Sequence, residues 1–205
     1  MEFSSDTYRT LSEPSEEILF KEKKSKFFGY AFPIRSEDEV KPLLEDIKKK
    51  QHTAGHVCYA WQLGTENQAY RVNDDGEPNN SAGMPIYGQI QSFKLTNVLV
   101  AVARIYGGTK LGVGGLISAY KTAAQMALEE SHIIEMIVQE HFKLSFEYAD
   151  MDKVMRIIKQ EQVTIVHQQM ALDCQLEISV RKSHAEKIES IFSDLHTITV
   201  KKMQT

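Results

Sequence analysis

Arg71 to Ser131 reads RVNDDGEPNNSAGMPIYGQIQSFKLTNVLVAVARIYGGTKLGVGGLISAYKTAAQMALEES, and this stretch decides the fold. Val98 to Ala103 shows no polar alternation, which predicts a central strand, running from Asn97 to about Ile105 and buried on both faces. Ahead of it, the acidic turn Asp74-Asp75-Gly76-Glu77-Pro78 leads into Ser-Ala-Gly. A short helix follows, with Pro85 in its first turn and Ile86, Ile90 and Phe93 facing inward. Behind the strand, a glycine-rich loop opens a long helix that sets Leu116, Tyr120, Ala123, Ala124 and Ala127 along one face. The alanines let that helix approach a sheet closely. Glycine loses more freedom on folding than any other residue. Its density at Gly107, Gly108, Gly112, Gly114 and Gly115 therefore marks positive φ angles or a backbone that something approaches.

Outward from this stretch, residues to about Ser15 are polar and expected to be loose. Ile18–Lys24 and Lys26–Ile34 read as two strands joined by a Lys-Ser turn, a hairpin. Ser36 with Glu39 forms a capping box. It opens a helix to about Lys50 with Val40, Leu43, Leu44 and Ile47 on one face. The basic run Lys48-Lys49-Lys50 at its end suits the helix dipole. Val57–Leu63 is the next strand, followed by a turn at residues 64–67. His132–Glu140 reads as a last strand and a short linker, after which the pattern resets. Strand 142–146, helix 151–160, strands 163–169 and 172–180, helix 183–195 and a closing strand at Ile198 and Val200 follow in turn. That order, βαββαβ, is ferredoxin-like and implies a four-stranded antiparallel sheet with both helices on one face and a polar face open. The expected fold class is α+β, with domains at 1–138 and 139–205.

The motifs DDGEP, S-A-G-x-P and R-x-Y-G-G-x-K-L-G-x-G-G-L-x-x-A-Y occur in one ordered run. Together they closely resemble the signature of the IMPACT (YigZ-type) family in its bacterial two-domain form. Asn79-Asn80 stands where the family has a run of small residues, and Ser118 where an arginine is common. The resemblance implies a ribosomal-protein-S5-domain-2-like β/α sandwich at the N-terminus, a fold shared with the fourth domain of elongation factor G. It implies a C-terminal domain like the fifth domain of that factor. It also marks His56, which leads the Tyr-Ala strand, as a cleft residue.

Composition narrows the function classes. No apolar run approaches the roughly 18 residues of a membrane span, and no signal-peptide pattern opens the chain, so a cytoplasmic location without membrane partners is expected. Cys58 and Cys174 lack any C-x-x-C spacing and read as core thiols. A net charge of −4 argues against a nonspecific nucleic-acid coat, and nothing points to double-stranded DNA specificity. Residues 1–140 hold 15 Lys+Arg against 19 Asp+Glu, and residues 141–205 hold 9 of each, so any RNA contact comes from a local patch.

The site candidates group in two. Arg104, Gly107, Gly108, Lys110, Gly112, Gly114 and Gly115 suit an anion or RNA phosphate: loop amides and the helix dipole attract it while the two cations flank it. The bland alternative is a glycine turn that packs a helix on a strand. Neither a Walker loop nor a dinucleotide fingerprint fits the spacing. His56, Arg71, Asp74, Asp75 and Glu77 are the cleft candidates of the acidic motif. Three carboxylates in four residues suit an oxygen-ligated cation or acid/base work. They suit equally an Asx turn, or a pairing of one of them with Arg104 or Arg71. His52, His56 and Cys58 do not make a zinc set, because Thr53-Ala54-Gly55 breaks the helix such spacing requires. No cofactor or metal is expected.

Two classes of function fit. One is a non-enzymatic RNA- or ribosome-associated protein, a regulator of translation, whose Lys21–Lys26 and Lys48–Lys50 tips add phosphate contacts and whose partners are RNA, the ribosome or a translation protein. The other is an enzyme acting on a phosphorylated small molecule or nucleotide. A third reading, a protein-interaction module, would use the open face of the C-terminal sheet.

Overall fold

A computed structural model describes residues 6–65 and 68–203. The described residues divide into two units, Tyr8–Met136 and a second made of residues 137–203 with Asp6 and Thr7. The fold is mixed α+β. Among the described residues no helix is long and apolar enough to cross a membrane.

The first unit is built on β6 (Val98–Ile105). It lies at the centre of a five-stranded sheet between β3 (Ser25–Pro33) and β4 (His56–Leu63), with β2 (Ile18–Glu22) and β5 (Ala69–Asn73) as the outer strands. Every neighbouring pair is antiparallel. Val98, Val100 and Val102 pack beneath α2 (Gly83–Ser92) and α3 (Gly112–Glu129). Leu99, Ala101 and Ala103 face α1 (Val40–Lys50) on the other side. Helices cover both faces, which is why the strand lacks polar alternation; each buried Val or Leu contributes about 1.5–3 kcal/mol. The close approach expected of the alanine-rich helix is present. A Cβ at Gly29 on β3 would lie 2.7 Å from the Ala123 carbonyl oxygen, so β3 backbone touches α3 backbone.

At the start of α1, a 3-10 turn occupies Glu37–Glu39, and the Glu39 carboxylate accepts the Ser36 and Arg35 amides at 3.1 and 2.9 Å. Two strands are additional to those expected. Where the opening residues were expected to be loose, β1 (Thr7–Leu11) forms a two-stranded sheet with β7 (Ile133–Ile137). Arg9 anchors it by donating to the Phe93 carbonyl, and Leu11 enters the core. The second, β5, gains its order from pairing with Tyr59–Leu63. Within the turn placed at 64–67, Glu66 and Asn67 lie outside the described residues, as do residues 1–5.

The second unit follows the order β8 (Gln139–Glu147), α4 (Met151–Gln160), β9 (Thr164–Gln169), β10 (Asp173–Arg181), α5 (Lys182–Ser193) and β11 (Thr199–Lys202). Its sheet runs β11-β8-β10-β9, wholly antiparallel, which is the ferredoxin-like arrangement. Phe142, Leu144 and Phe146 of β8 join Cys174, Leu176, Ile178 and Val180 of β10 under both helices. Leu172, counted with the alternating strand in the sequence, lies before β10 and is exposed.

Candidate functional site

Arg104 is the pivot of the first unit's functional end. It continues the Val98, Val100, Val102 face of β6 and is register partner to His56 on β4 and Phe27 on β3. Only 7% of it is exposed. Its Nη1 donates to Glu77 Oε1 at 2.6 Å, and the Tyr120 hydroxyl of α3 donates to the same oxygen at 2.8 Å. The guanidinium carbon sits 5.6 Å from the ring centroids of both Phe27 and Tyr106. A charge this deep survives because a carboxylate neutralises it and aromatic faces flank it. Its Nε has no hydrogen-bond partner among the described residues.

The acidic turn is held by its own side chains. Asp74 accepts the amides of Ala82 and Gly83 through Oδ1, at 3.0 and 2.8 Å, and that of Asn80 through Oδ2 at 2.9 Å, so it anchors the start of α2. Asp75 Oδ2 accepts the Val57 amide at 2.6 Å. Positive φ at Asp75 and Gly76 swings the chain round so that Glu77 points back to β6. The Asp75 carbonyl accepts a bond from His56 Nδ1 at 2.7 Å. A carbonyl can only accept, so Nδ1 carries the proton and Nε2 is left as the ring's other polar atom.

Beyond Tyr106 the loop meets the hairpin. A Cβ at Gly107 would fall 2.0 Å from the Lys24 carbonyl carbon, so only glycine lets the β2–β3 turn lie against it. The Gly107 amide donates to Ser25 Oγ at 3.1 Å. Helix α3 then starts with no side-chain cap and no acidic residue in its first turn, leaving its amides open to an anion. Between this loop and the acidic turn lies a cleft of about 580 Å³. His56, Glu77, Arg104 and Lys110 supply its polar groups. Its walls are apolar, from Tyr106, Leu111, Val113 and Leu116.

The family model for the Impact N-terminal domain matches residues 23–128, from the hairpin turn to the end of α3. The chain belongs to the IMPACT family. It is 28% identical over 191 residues to IMPACT family member YvyE of Bacillus subtilis (strain 168), spanning 93% of this chain and 86% of that one. It is 31% identical over 183 residues to an IMPACT family member of Haemophilus influenzae, spanning 86% and 88%. A crystal structure of a hypothetical protein superposes with a TM-score of 0.74 over 97% of this chain and 98% of the other, at 22% identity, a likeness of fold.

In this IMPACT family member the candidate residues separate. His56, Glu77, Arg104, Lys110 and Gly112 border one cleft. Gly107 and Gly108 shape the loop, Gly108 with a positive φ, and Gly114 and Gly115 lie in the first turn of α3. Arg104 differs from the expected flanking cation: it is buried and its charge is matched by Glu77, because β6 carries it to the core side of the sheet. Arg71 does not join the cleft. Its register partner is Trp61, which packs with α1, and it pairs with Glu37 at 2.8 Å. Asp74 is spent on backbone amides. Among the described residues no group of His, Cys, Asp and Glu is arranged to hold a metal ion.

The run Lys48–Lys50 is satisfied by carboxylates as well as by the helix dipole: Lys48 lies 3.9 Å from Asp75, Lys49 2.9 Å from Asp46 and Lys50 3.0 Å from Glu17. Sequence reasoning missed Tyr106 as a cleft wall and the Tyr120 hydroxyl as a partner of Glu77. Tyr120 was readable as the polar tip on an otherwise apolar helix face. Both cysteines are buried and free. Burial pushes the Cys58 thiol well above its usual range, with the Glu77, Asp75 and Asp74 carboxylates adding to it. Neither thiol should react with a thiol reagent in the native protein, and both should in denaturant. Fast native labelling, read by absorbance and mass, would contradict this packing.

Proposed function

We propose that this IMPACT family protein is a non-enzymatic RNA-binding protein that acts at the ribosome in the control of translation. It would hold phosphates with the hairpin lysines and the glycine loop. One observation carries the reading. Lys21, Lys23, Lys24, Lys26 and Lys110 are exposed, and none has an acidic partner among the described residues. Lys48, Lys49 and Lys50, at the end of α1, each have one. Four of these five lysines sit on the hairpin whose turn meets Gly107, in the loop that leads through Lys110 into the uncapped start of α3. On an acidic chain, that is the local patch RNA binding needs.

The turn itself adds support. Lys23 and Lys24 both adopt positive φ, at 44° and 67°. Two-residue hairpin turns of this kind favour Asn-Gly, and each bulky residue held there costs about 1–2 kcal/mol. Strain kept at such a point suggests that the lysine charges are used. The resemblance of both domains to parts of a ribosomal translocase supports the ribosome as the place. An enzyme acting on a phosphorylated small molecule has less to stand on, since Asp74 and Glu77 are committed to amides and to Arg104.

Titration of a labelled structured RNA across salt concentrations tests the reading. Five phosphate contacts should give a slope of log affinity against log salt of about −3 to −4. Replacing Lys23→Asn together with Lys24→Gly suits the turn better, so stability should hold or rise while the slope becomes shallower by roughly 1.4. An unchanged slope in that variant, or no binding at low salt, would sink the proposal.

A further inference from the structure

We infer that the cleft between the acidic turn and α3 receives one phosphorylated nucleotide, either a free mononucleotide or the 5′-terminal nucleotide of an RNA. Its phosphate would sit on the first turn of α3 and its base against Tyr106. This rests on the phosphate-binding reading of the loop and goes beyond it by naming the unit that is bound.

The phosphate end follows from α3. The helix is 18 residues long and its first amides have no side-chain cap. Gly114 adds a separate pointer. It has no positive φ, and a Cβ there would meet nothing within 4 Å. Glycine inside a helix is destabilising relative to alanine, and neither backbone angle nor packing requires it here. A group that approaches the backbone from outside does. Lys110 on the cleft border supplies charge.

The floor provides an independent observation. Arg104 lines the cleft, is more than nine-tenths buried and keeps an Nε without a partner among the described residues. That Nε is itself enclosed, but Nη2 makes no hydrogen bond among the described residues, so the guanidinium keeps donor capacity for an acceptor in the cleft. Beside it, His56 Nε2 can accept from a ribose hydroxyl when neutral or donate to a phosphate when charged.

The body of the ligand follows from the walls. Leu111, Val113 and Leu116 give an apolar side, and Tyr106, 54% exposed, gives an aromatic one. About 580 Å³ lies within the range of small-molecule pockets. A flat, weakly polar body with an anionic end matches a nucleotide, and nucleobases stack on exposed aromatic rings whatever their sequence. A peptide carboxylate would also reach the amides. It would leave the hairpin lysines beyond Gly107 unused, whereas an RNA chain leading out of the cleft past Gly107 would meet them.

The test uses the full chain and single-stranded RNAs of one sequence, labelled at the 3′ end and carrying a 5′-phosphate or a 5′-hydroxyl. The 5′-phosphate should tighten binding about tenfold, and adenosine monophosphate should compete far better than inorganic phosphate. Tyr106→Ala should lose the tenfold preference, and Tyr106→Phe should keep it. If the monophosphate binds but the two RNAs bind equally, the free nucleotide is the ligand. If the RNAs bind equally, with the lysine-dependent salt slope, and the monophosphate does not compete, the cleft inference is overturned while the RNA reading stands. If no RNA binds, the RNA reading fails, and direct titration with the monophosphate decides the cleft by itself. Displacement by a short peptide in preference to the monophosphate would also overturn it.

Discussion

Glu77→Ala should destabilise the first unit by about 3–5 kcal/mol, the effect expected when one partner of a buried ion pair is removed. Glu77 and Arg104 are 4% and 9% exposed at their side chains and sit 2.6 Å apart. Without the carboxylate, a guanidinium that is nine-tenths buried would remain between Phe27 and Tyr106 with no counter-charge. The Tyr120 hydroxyl would lose its acceptor at the same time. Glu77→Gln keeps an oxygen for both donors and loses only the charge, so it should cost less. Adding Arg104→Met to Glu77→Ala should recover part of the loss, because the stranded charge is then gone. Trp61 is the single tryptophan and lies in the core of this unit, so its fluorescence during urea unfolding reports the right transition. A cost below about 1 kcal/mol for Glu77→Ala would mean that Arg104 reaches solvent or another partner, and the description of the cleft floor would be wrong.

This pair also shows where sequence reading stops. The absence of alternation in Val98–Ala103 and the period-two pattern of the C-terminal strands are properties of each segment alone, and they gave the central strand and the ferredoxin-like order directly. Arg104 pairing with a carboxylate of the acidic turn was one of several possibilities on the sequence. Three acids within four residues were equivalent until the positive φ angles of Asp75 and Gly76 fixed which one turns back toward β6. The two unforeseen strands differ for a related reason. Ala69–Asn73 is short and mostly exposed, with no burial pattern of its own, and β4 supplies its order. Thr7–Leu11 looked like polar leader sequence because its partners, Phe93, Leu95 and β7, are more than 80 residues away in the chain. The lysines were visible as a basic tip, and which of them lack acidic partners became visible only with the fold.

Gly107→Ala should cost about 2–3 kcal/mol and weaken RNA binding with it, an overpacking effect at a contact between two backbones. The new Cβ would lie 2.0 Å from the Lys24 carbonyl carbon, 2.2 Å from its oxygen and 2.3 Å from the Ser25 nitrogen. None of these atoms ends a flexible side chain, so no rotamer change relieves the clash; either the hairpin turn or the loop has to retreat. If the turn retreats, the bond from the Gly107 amide to Ser25 Oγ breaks, and the turn that carries Lys23 and Lys24 moves away from the loop. The lysine charges are all still present in this variant, so an effect on RNA affinity isolates their placement from their number. Gly108→Ala is the matched control, since its Cβ would meet nothing within 4 Å and any loss there reflects only its φ of +86°. Thermal unfolding and RNA titration of both variants at one salt concentration separate the cases. Gly107→Ala should lose stability and affinity together. If it loses stability and binds RNA as the native protein does, the apposition of hairpin and loop serves folding alone, and the proposed phosphate site would have to be built without Lys23 and Lys24.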